Sequence, residues 1–487
     1  MPDISVAFAA VAAMLLIGAF SNKLSSRFNV PILLIFLLVG MIIGREHVPE
    51  DLEFGRISVA GTVAMCFILF SGGLNTSFDR IRPVLIPGGA LATVGVIATT
   101  LAFGGFAHLA LRGRIDFTDA LLLGAMISST DAAAVFAILS GKKVGLKGRL
   151  RPLLEFESGS NDPMAYFLTL FMIDVVLGKG HLSFSTVGLL VYRTAAGVLM
   201  GIVAGVFARL LYKTRLEYEG LYFVFAIAAV LLSYGLAEGI GANGMMSCYV
   251  CGITMNHLGF NYQKGITRFS DGVSWLMQVI LFTTLGIFVD VNSLPDISGW
   301  GLLLAGILLF IARPAAVFLT LPGDGFSLRE KILISWVGLR GAAPIVLATF
   351  PLSCGVGGSR LYFNMIFFMV IVSMVVQGTT IMPLARLLKL DKPVADHERM
   401  PLELESTPES RGREMREFIV PDGADCVGRT IAELAFPPGV LVTLIRRDRQ
   451  LIQPNGSTEV RAGDGLLIMG EPRRLAAVQE HYFPAEE

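Results

Sequence analysis

Apolar runs long enough to cross a bilayer recur along most of this chain, and no other feature restricts its fold as strongly. A helix needs about 20 mostly apolar residues to span the hydrocarbon layer. Such runs fall at 4–21, 30–44, 57–74, 84–111, 117–140, 150–177, 184–211, 220–238, 241–258, 268–290, 298–320, 328–351 and 361–388. Lipid offers the backbone no hydrogen bonds, so repeated spans of this kind satisfy their own groups as helices, and an all-α polytopic membrane protein of about 13 spans is expected. The weakest division is at Gly239-Ile240-Gly241, where two runs can also be one glycine-interrupted helix.

Charge is distributed to match. Residues 1–390 hold 27 Lys/Arg and 21 Asp/Glu, whereas the last 97 hold 12 and 18. The front is therefore about 12% charged and the tail about 31%, against about 25% for soluble domains. This excludes a simple soluble enzyme, a disordered chain and a nucleic-acid binder with a basic surface. The 5 Cys give no disulfide framework, and Cys248-Tyr-Val-Cys251 lacks the second pair that a zinc site needs. No basic region or cleavage site marks a signal peptide, so Ile4 to Phe20 reads as a first span. Lys and Arg crowd alternate loops, about 19 in one set against about 6 in the other, which puts the N-terminus outside and the C-terminus in the cytoplasm.

The chain divides into a transmembrane domain at 1–390, a linker at 391–414 and a cytoplasmic domain at 415–487. The linker is rich in charge, Pro and Ser. Beyond it, Arg416-Glu-Phe-Ile-Val, Val440-Leu-Val-Thr-Leu-Ile-Arg and Leu466-Leu-Ile-Met-Gly read as strands separated by Gly-containing turns. Thr430-Ile-Ala-Glu433 reads as a capping box opening a short helix, and Glu471 to His481 as a second helix. The tail is expected to be a small α+β domain.

Ionisable groups inside spans cost several kcal/mol by some scales, so each needs a reason. Asp174 and Asp290 lie near span ends, and Glu238 lies among glycines. Arg193 and Arg313 read either as ion-pair partners or as gating groups. Two clusters demand more. Ile127-Ser-Ser-Thr130-Asp131 is a polar interruption inside an apolar span, where unwound backbone is tolerated only beside a cavity or buried in protein. In Glu155-Phe-Glu157-Ser158-Gly-Ser160-Asn161-Asp162-Pro163, Ser158 and Asp162 share a helix face, with Asn161 and Glu157 alongside. A carboxylate with hydroxyl and carbonyl oxygens is hard-cation chemistry. Withdrawn from water, one carboxylate can be neutralised by a proton or by a cation, and competition between the two is the minimal mechanism of an exchanger. Buried Glu157 needs a counter-charge. Arg340, in Gly338-Leu-Arg340-Gly-Ala-Ala-Pro344, is the best placed cation; alternatively it binds freed carbonyls of a broken helix.

Thr130-Asp131, Glu157-Ser158-Gly-Ser-Asn161-Asp162, Gly-Leu-Arg340-Gly and Val376-Gln-Gly-Thr-Thr-Ile-Met-Pro383, in that order, resemble the monovalent cation/proton antiporters of the cation/proton antiporter 1 (NhaP-like) family. The resemblance implies inverted repeats, a core with two interrupted crossing helices, a dimerisation domain and elevator-like alternating access in a bacterial plasma (inner) membrane. It implies that Asp162 carries the proton and, with Ser158 and Thr130, ligates the monovalent cation, with Asp131 and Asn161 close by, while Glu157 and Arg340 form a core ion pair. Asn161 before Asp162 resembles the electroneutral branch, which implies one proton per cation. One departure is that many members of that family carry an acidic residue on the third span near the site, where this chain reads Phe70-Ser71-Gly-Gly-Leu74-Asn75.

The tail resembles the TrkA-C subdomain of potassium-conductance regulators, through Val427-Gly-Arg-Thr-Ile-Ala-Glu-Leu434, Leu444-Ile-Arg446-Arg447-Asp448 and Ala462-Gly463-Asp464-Gly-Leu-Leu-Ile468. This shifts the expected substrate from sodium to potassium and implies a homodimer through both domains. Nucleotides are among the candidate effectors, with Arg446, Arg447 and Arg449 as the phosphate-facing candidates or, equally, a solvated basic face. No cofactor is implied. A gated cation channel lacks its Thr-Val-Gly-Tyr-Gly filter here. An intramembrane hydrolase using Ser158 or Ser160 lacks a positioned base, since every His lies in a loop, a span end or the tail.

Overall fold

The computed structural model describes residues 12–13, 15–16, 32–46, 54–111, 114–141, 144–180, 184–214, 217–218, 220–323, 325–393, 414–421, 423–447 and 450–483. Most of the expected first span, linker residues 394–413 and Arg449 lie outside them. The described helices are α1 (Ile32–Glu46), α2 (Phe54–Asn75), α3 (Phe78–Ala110), α4 (Phe117–Ile127), α5 (Ala132–Gly141), α6 (Leu150–Val176), α7 (Phe184–Tyr212) and α8 (Leu221–Gly239). They continue with α9 (Gly244–Leu258), α10 (Gln263–Ile287), α11 (Val291–Thr320), α12 (Leu328–Trp336), α13 (Ala342–Leu347), α14 (Thr349–Ser353) and α15 (Ser359–Leu387). Seven of them are long and apolar enough to cross a membrane alone, or eight if α4 and α5, bent by 42° at their junction, are one span.

The departures from straight helix follow from residue type. Pro87 and Pro314 cannot donate a helical hydrogen bond, and π-helical turns at Leu91–Gly95 and Leu308–Ala312 lie within one turn of them, inside α3 and α11. The interruption read at Ser128 to Asp131 separates α4 from α5, and a second one at Val337 to Gly341 separates α12 from α13. Gly239 ends α8 and Gly241 adopts φ +72°, so the two runs flanking them are separate helices. Gly73 and Gly252 bring α2 and α9 into backbone contact: a Cβ on Gly73 would strike the Tyr249 carbonyl, and one on Gly252 the Phe70 carbonyl. Ser71 and Asn75 of α2 and Tyr249 of α9 all line one cavity.

A short antiparallel ladder joins β1 (Val144–Leu146) to β2 (Asp391–Pro393), pairing Val144 with Pro393 and Leu146 with Asp391. The first three residues assigned to the linker are thus a strand, and Lys147 N–H to the Leu390 carbonyl at 2.9 Å extends the ladder.

Residues 395–487 fall in a second compact unit. Its strands are β3 (Glu414–Ile419), β4 (Leu441–Arg447), β5 (Gln450–Ile452) and β6 (Gly465–Gly470), antiparallel in the order β3-β6-β4-β5 and followed by α16 (Pro472–Tyr482). Phe418, Val442, Ile445, Leu466, Ile468 and Leu475 form its core, and Phe483 stacks on Phe418 at 5.3 Å. The expected capping box exists: Thr430 N–H donates to Glu433 at 2.8 Å and Glu433 N–H donates to Thr430 at 3.4 Å. No helix follows it, because the chain turns and Ala435 takes φ +43°. The Thr430 N–H holds the Glu433 carboxyl below its ordinary range.

Candidate functional site

The two interruptions meet. Asp131 N–H donates to the Leu339 carbonyl at 2.7 Å, so each break supplies a partner that the other lacks. Helix ends left open inside a membrane must be satisfied locally, and every polar residue of these segments is recruited. Asp131 accepts from Ala134 N–H at 3.0 Å and caps the start of α5, placing negative charge at a positive helix end. Ser158 of α6 bridges the same break, accepting from Ala132 N–H at 3.0 Å and donating to the Thr130 carbonyl at 2.9 Å. At the end of α4, the Arg340 guanidinium donates to the carbonyls of Ile127 at 2.5 Å and Ser129 at 2.7 Å. Arg340 is fully buried, so these carbonyls and the negative helix end are its compensation. Its own N–H is held by Ser373 at 3.0 Å, and Gln377 donates to the Trp336 carbonyl at 2.7 Å. The last-span motif around Gln377 therefore closes the second break.

Glu157 does not pair with Arg340 as first read. Its carboxylate lies 2.6 Å from Arg313, with both side chains almost fully buried. The reason is shape as much as charge. A Cβ on Gly338 would strike the Arg313 guanidinium at 2.7 Å, so that glycine makes the channel through which Arg313 reaches inward. A Cβ on Gly341 would likewise strike the Asp131 side chain. The two glycines around Arg340 admit charged side chains from other helices, and Arg340 takes the alternative role of binding freed carbonyls.

Asp162 stands apart from this scaffold. It is half-buried, accepts a hydrogen bond from Ser129 and, among the described residues, forms no ion pair. With Ser129, Thr130, Asp131 and Ser158 it lines a cavity of about 580 Å³. Pro163, inside α6, cannot donate to the Gly159 carbonyl, and Gly159 also lines that cavity. Asn161 is brought near but is not among the residues that line it: it is buried, and its amide donates to the Thr130 hydroxyl at 2.6 Å, which holds Thr130 in place.

Sequence reasoning missed Arg313 as the partner of Glu157, although an Arg-Pro step inside an apolar span was its signal. It also missed Ser129 as a donor to Asp162, and Asp271. The last comes from α10 and accepts from Ser71 and Asn75 at 2.6 Å each, so an acidic group from another helix stands against the stretch that lacks one.

In the tail, Arg446 lies 2.6 Å from Glu417, and Arg447 grips Asp464 with two hydrogen bonds at 2.9 and 2.7 Å. These guanidiniums are engaged by acidic partners, Glu417 on β3 and Asp464 just before β6, so in this structure they do not stand free to face a phosphate.

The family described as "Sodium/hydrogen exchanger, transmembrane" matches residues 11–387, and the TrkA-C domain matches residues 415–481. The K(+)/H(+) antiporter NhaP2 of Shewanella oneidensis is 36% identical over 478 residues, 97% of this chain and 82% of that protein. The K(+)/H(+) antiporter NhaP of Alkalimonas amylolytica is 34% identical over 96% of this chain and 82% of its own length. The Na(+)/H(+) antiporter 1 of Methanocaldococcus jannaschii is 27% identical over 71% of this chain and 83% of its own. Among solved structures, the sodium proton antiporter MjNhaP1 from the same organism at pH 8 superposes with a TM-score of 0.66 at 22% identity. That match covers 77% of this chain and 100% of the solved chain, a shared fold.

Proposed function

The chain belongs to the sodium/hydrogen exchanger family, and on that premise we propose that it is an electroneutral potassium/proton antiporter of a bacterial plasma membrane. The observation that carries the stoichiometry is the division of labour among the carboxylates at the breaks. Glu157 is neutralised by Arg313, Asp131 is committed to a helix cap, and Asp162 faces the cavity with no basic partner among the described residues. One uncommitted carboxylate at the breaks exchanges one proton for one cation. With Asp162 protonated the site is neutral; with Asp162 ionised it takes a monovalent cation, with the Ser158 hydroxyl and the Thr130 oxygens completing the ligand set. Both loaded forms carry the same net charge, so alternating access moves none.

Potassium is favoured over sodium because relatives covering 96–97% of this chain carry potassium in their names and because a TrkA-C domain follows the transporter. In this reading the chain is a homodimer with an outside N-terminus and a cytoplasmic tail. It has a transmembrane domain at 1–390 of about 13 spans in inverted repeats, a linker confined to 394–413 between β2 and β3, and a regulatory domain that follows it.

Proton flux in proteoliposomes on adding potassium, sodium or lithium, with the membrane potential free or clamped, tests this. Potassium-driven exchange indifferent to potential supports it; a sodium-only or potential-sensitive response overturns the substrate or the stoichiometry. Deleting the tail from Asp391 onward is expected to alter the pH or ligand dependence of exchange while leaving exchange measurable. Loss of all transport in a well-folded truncation overturns the regulatory assignment.

A further inference from the structure

Among the described residues, five charged side chains line the cavity: Asp131, Arg151, Glu155, Asp162 and Asp271. Arg151 and Glu155 neutralise each other at 2.8 Å, and Asp131 caps α5. Asp162 and Asp271, on different helices, are the two lining carboxylates that neither pair with a base nor cap a helix among the described residues.

The surroundings of Asp271 are built rather than incidental. One carboxylate oxygen accepts from both the Ser71 hydroxyl and the Asn75 amide at 2.6 Å, and that amide is itself braced on the Ser71 carbonyl at 3.0 Å. Two neutral donors hold the group in one orientation without cancelling its charge. Among the described residues its second oxygen accepts no hydrogen bond and the carboxylate forms no ion pair. Ser274 and Gln278 follow on the same face of α10, three and seven residues on, and both line the cavity. The Gln278 amide donates to the Ser274 hydroxyl at 3.4 Å, which leaves the Gln278 carbonyl oxygen for the cavity. A carboxylate, a hydroxyl and an amide oxygen thus form a row about 10 Å long, seven residues at helical rise.

We infer that Asp271 is a second cation station: it captures a partly hydrated monovalent cation and delivers it along Ser274 and Gln278 to Asp162. One carboxylate among neutral oxygens suits a monovalent ion, since a divalent ion bound without its water calls for six or more oxygens, several of them charged. The inference rests on the antiport reading. It assigns Asp271 to the apparent affinity for the cation and leaves the exchange itself to Asp162.

The test uses the full chain in proteoliposomes, with initial proton flux measured against potassium concentration for wild type, Asp271→Asn, Asp271→Glu and Asp162→Asn. Asn keeps an oxygen for Ser71 and Asn75 but removes the charge. Asp271→Asn is expected to raise the half-saturating potassium concentration about fivefold, the scale of a carboxylate–cation contact at water-like dielectric, with a smaller change in maximal rate. Asp271→Glu is expected to restore much of the affinity, and added choline chloride to narrow the gap between Asn variant and wild type by screening. An unchanged half-saturation in Asp271→Asn overturns the second station. So does equal impairment of the Asn and Glu variants with a lowered thermal midpoint, which is the signature of packing. Transport persisting in Asp162→Asn would instead sink the antiport site, so the two failures are distinguishable.

Discussion

Glu157 and Asp162 are carboxylates five residues apart on one helix, and their fates are opposite. Five residues turn a helix by about 140° beyond a full circle, so the two point to different faces. The face with Glu157 meets Arg313 in a buried pair; the face with Ser158 and Asp162 meets a cavity and two broken helices. Proximity in sequence thus says little about role. A carboxylate whose charge is matched by an arginine belongs to the scaffold, and one matched only by hydroxyls stays available to an ion.

The largest expected effect is at Asp162. Replacing it with Asn is expected to reduce potassium-driven proton flux to background while the thermal midpoint in detergent stays near wild type, and substantial residual flux would erase the contrast. Next comes the buried pair. Arg313→Ala strands the Glu157 charge and is expected to cost about 3–5 kcal/mol of stability. The double variant Glu157→Gln with Arg313→Met is expected to recover much of this, through a coupling of up to about 3 kcal/mol read from a double-mutant cycle. If both single variants unfold at the wild-type midpoint, the pair is not the scaffold.

Arg340→Ala sharpens the contrast from a third side. Two carbonyls at the end of α4 lose their donor, and a loss of about 2–4 kcal/mol is expected, with the rate falling because the Thr130 segment loosens. Unaltered stability and rate would show that the carbonyls find other donors. The smallest effect is expected at Asn161, which touches the cavity only through Thr130. Asn161→Ala is expected to cost about 1 kcal/mol and to change half-saturation less than Asp271→Asn does. A larger change would make Asn161 a ligand after all.

Much of the fold was legible because hydropathy is local. Runs such as 57–74, 150–177 and 361–388 met helices that begin and end within three residues of them. The polar interruption at Ser128 to Asp131 announced a broken helix for the same reason: hydroxyls and a carboxylate have no place in a continuous apolar span. The second break was harder to see, since Val337 to Gly341 is marked only by two glycines and one arginine. The tail strands showed as β-branched runs, yet Thr430 to Glu433 misled, because a capping box satisfies a single turn as well as a helix.

The site was legible to the extent that its parts lie close in sequence. Ser158 and Asp162 share a face by helical spacing alone, whereas Asp271 and Ser71 meet through helices distant in the chain. What the sequence determined by itself is therefore a helical membrane transporter with a small sheet-bearing tail, the broken span and the two carboxylates of one helix. The tertiary structure alone decided that Arg313 takes Glu157, that Arg340 takes carbonyls and that Asp271 joins the cavity. Periodicity and composition belong to neighbouring residues, but which charges meet depends on how packed helices are rotated and which glycines let a side chain through.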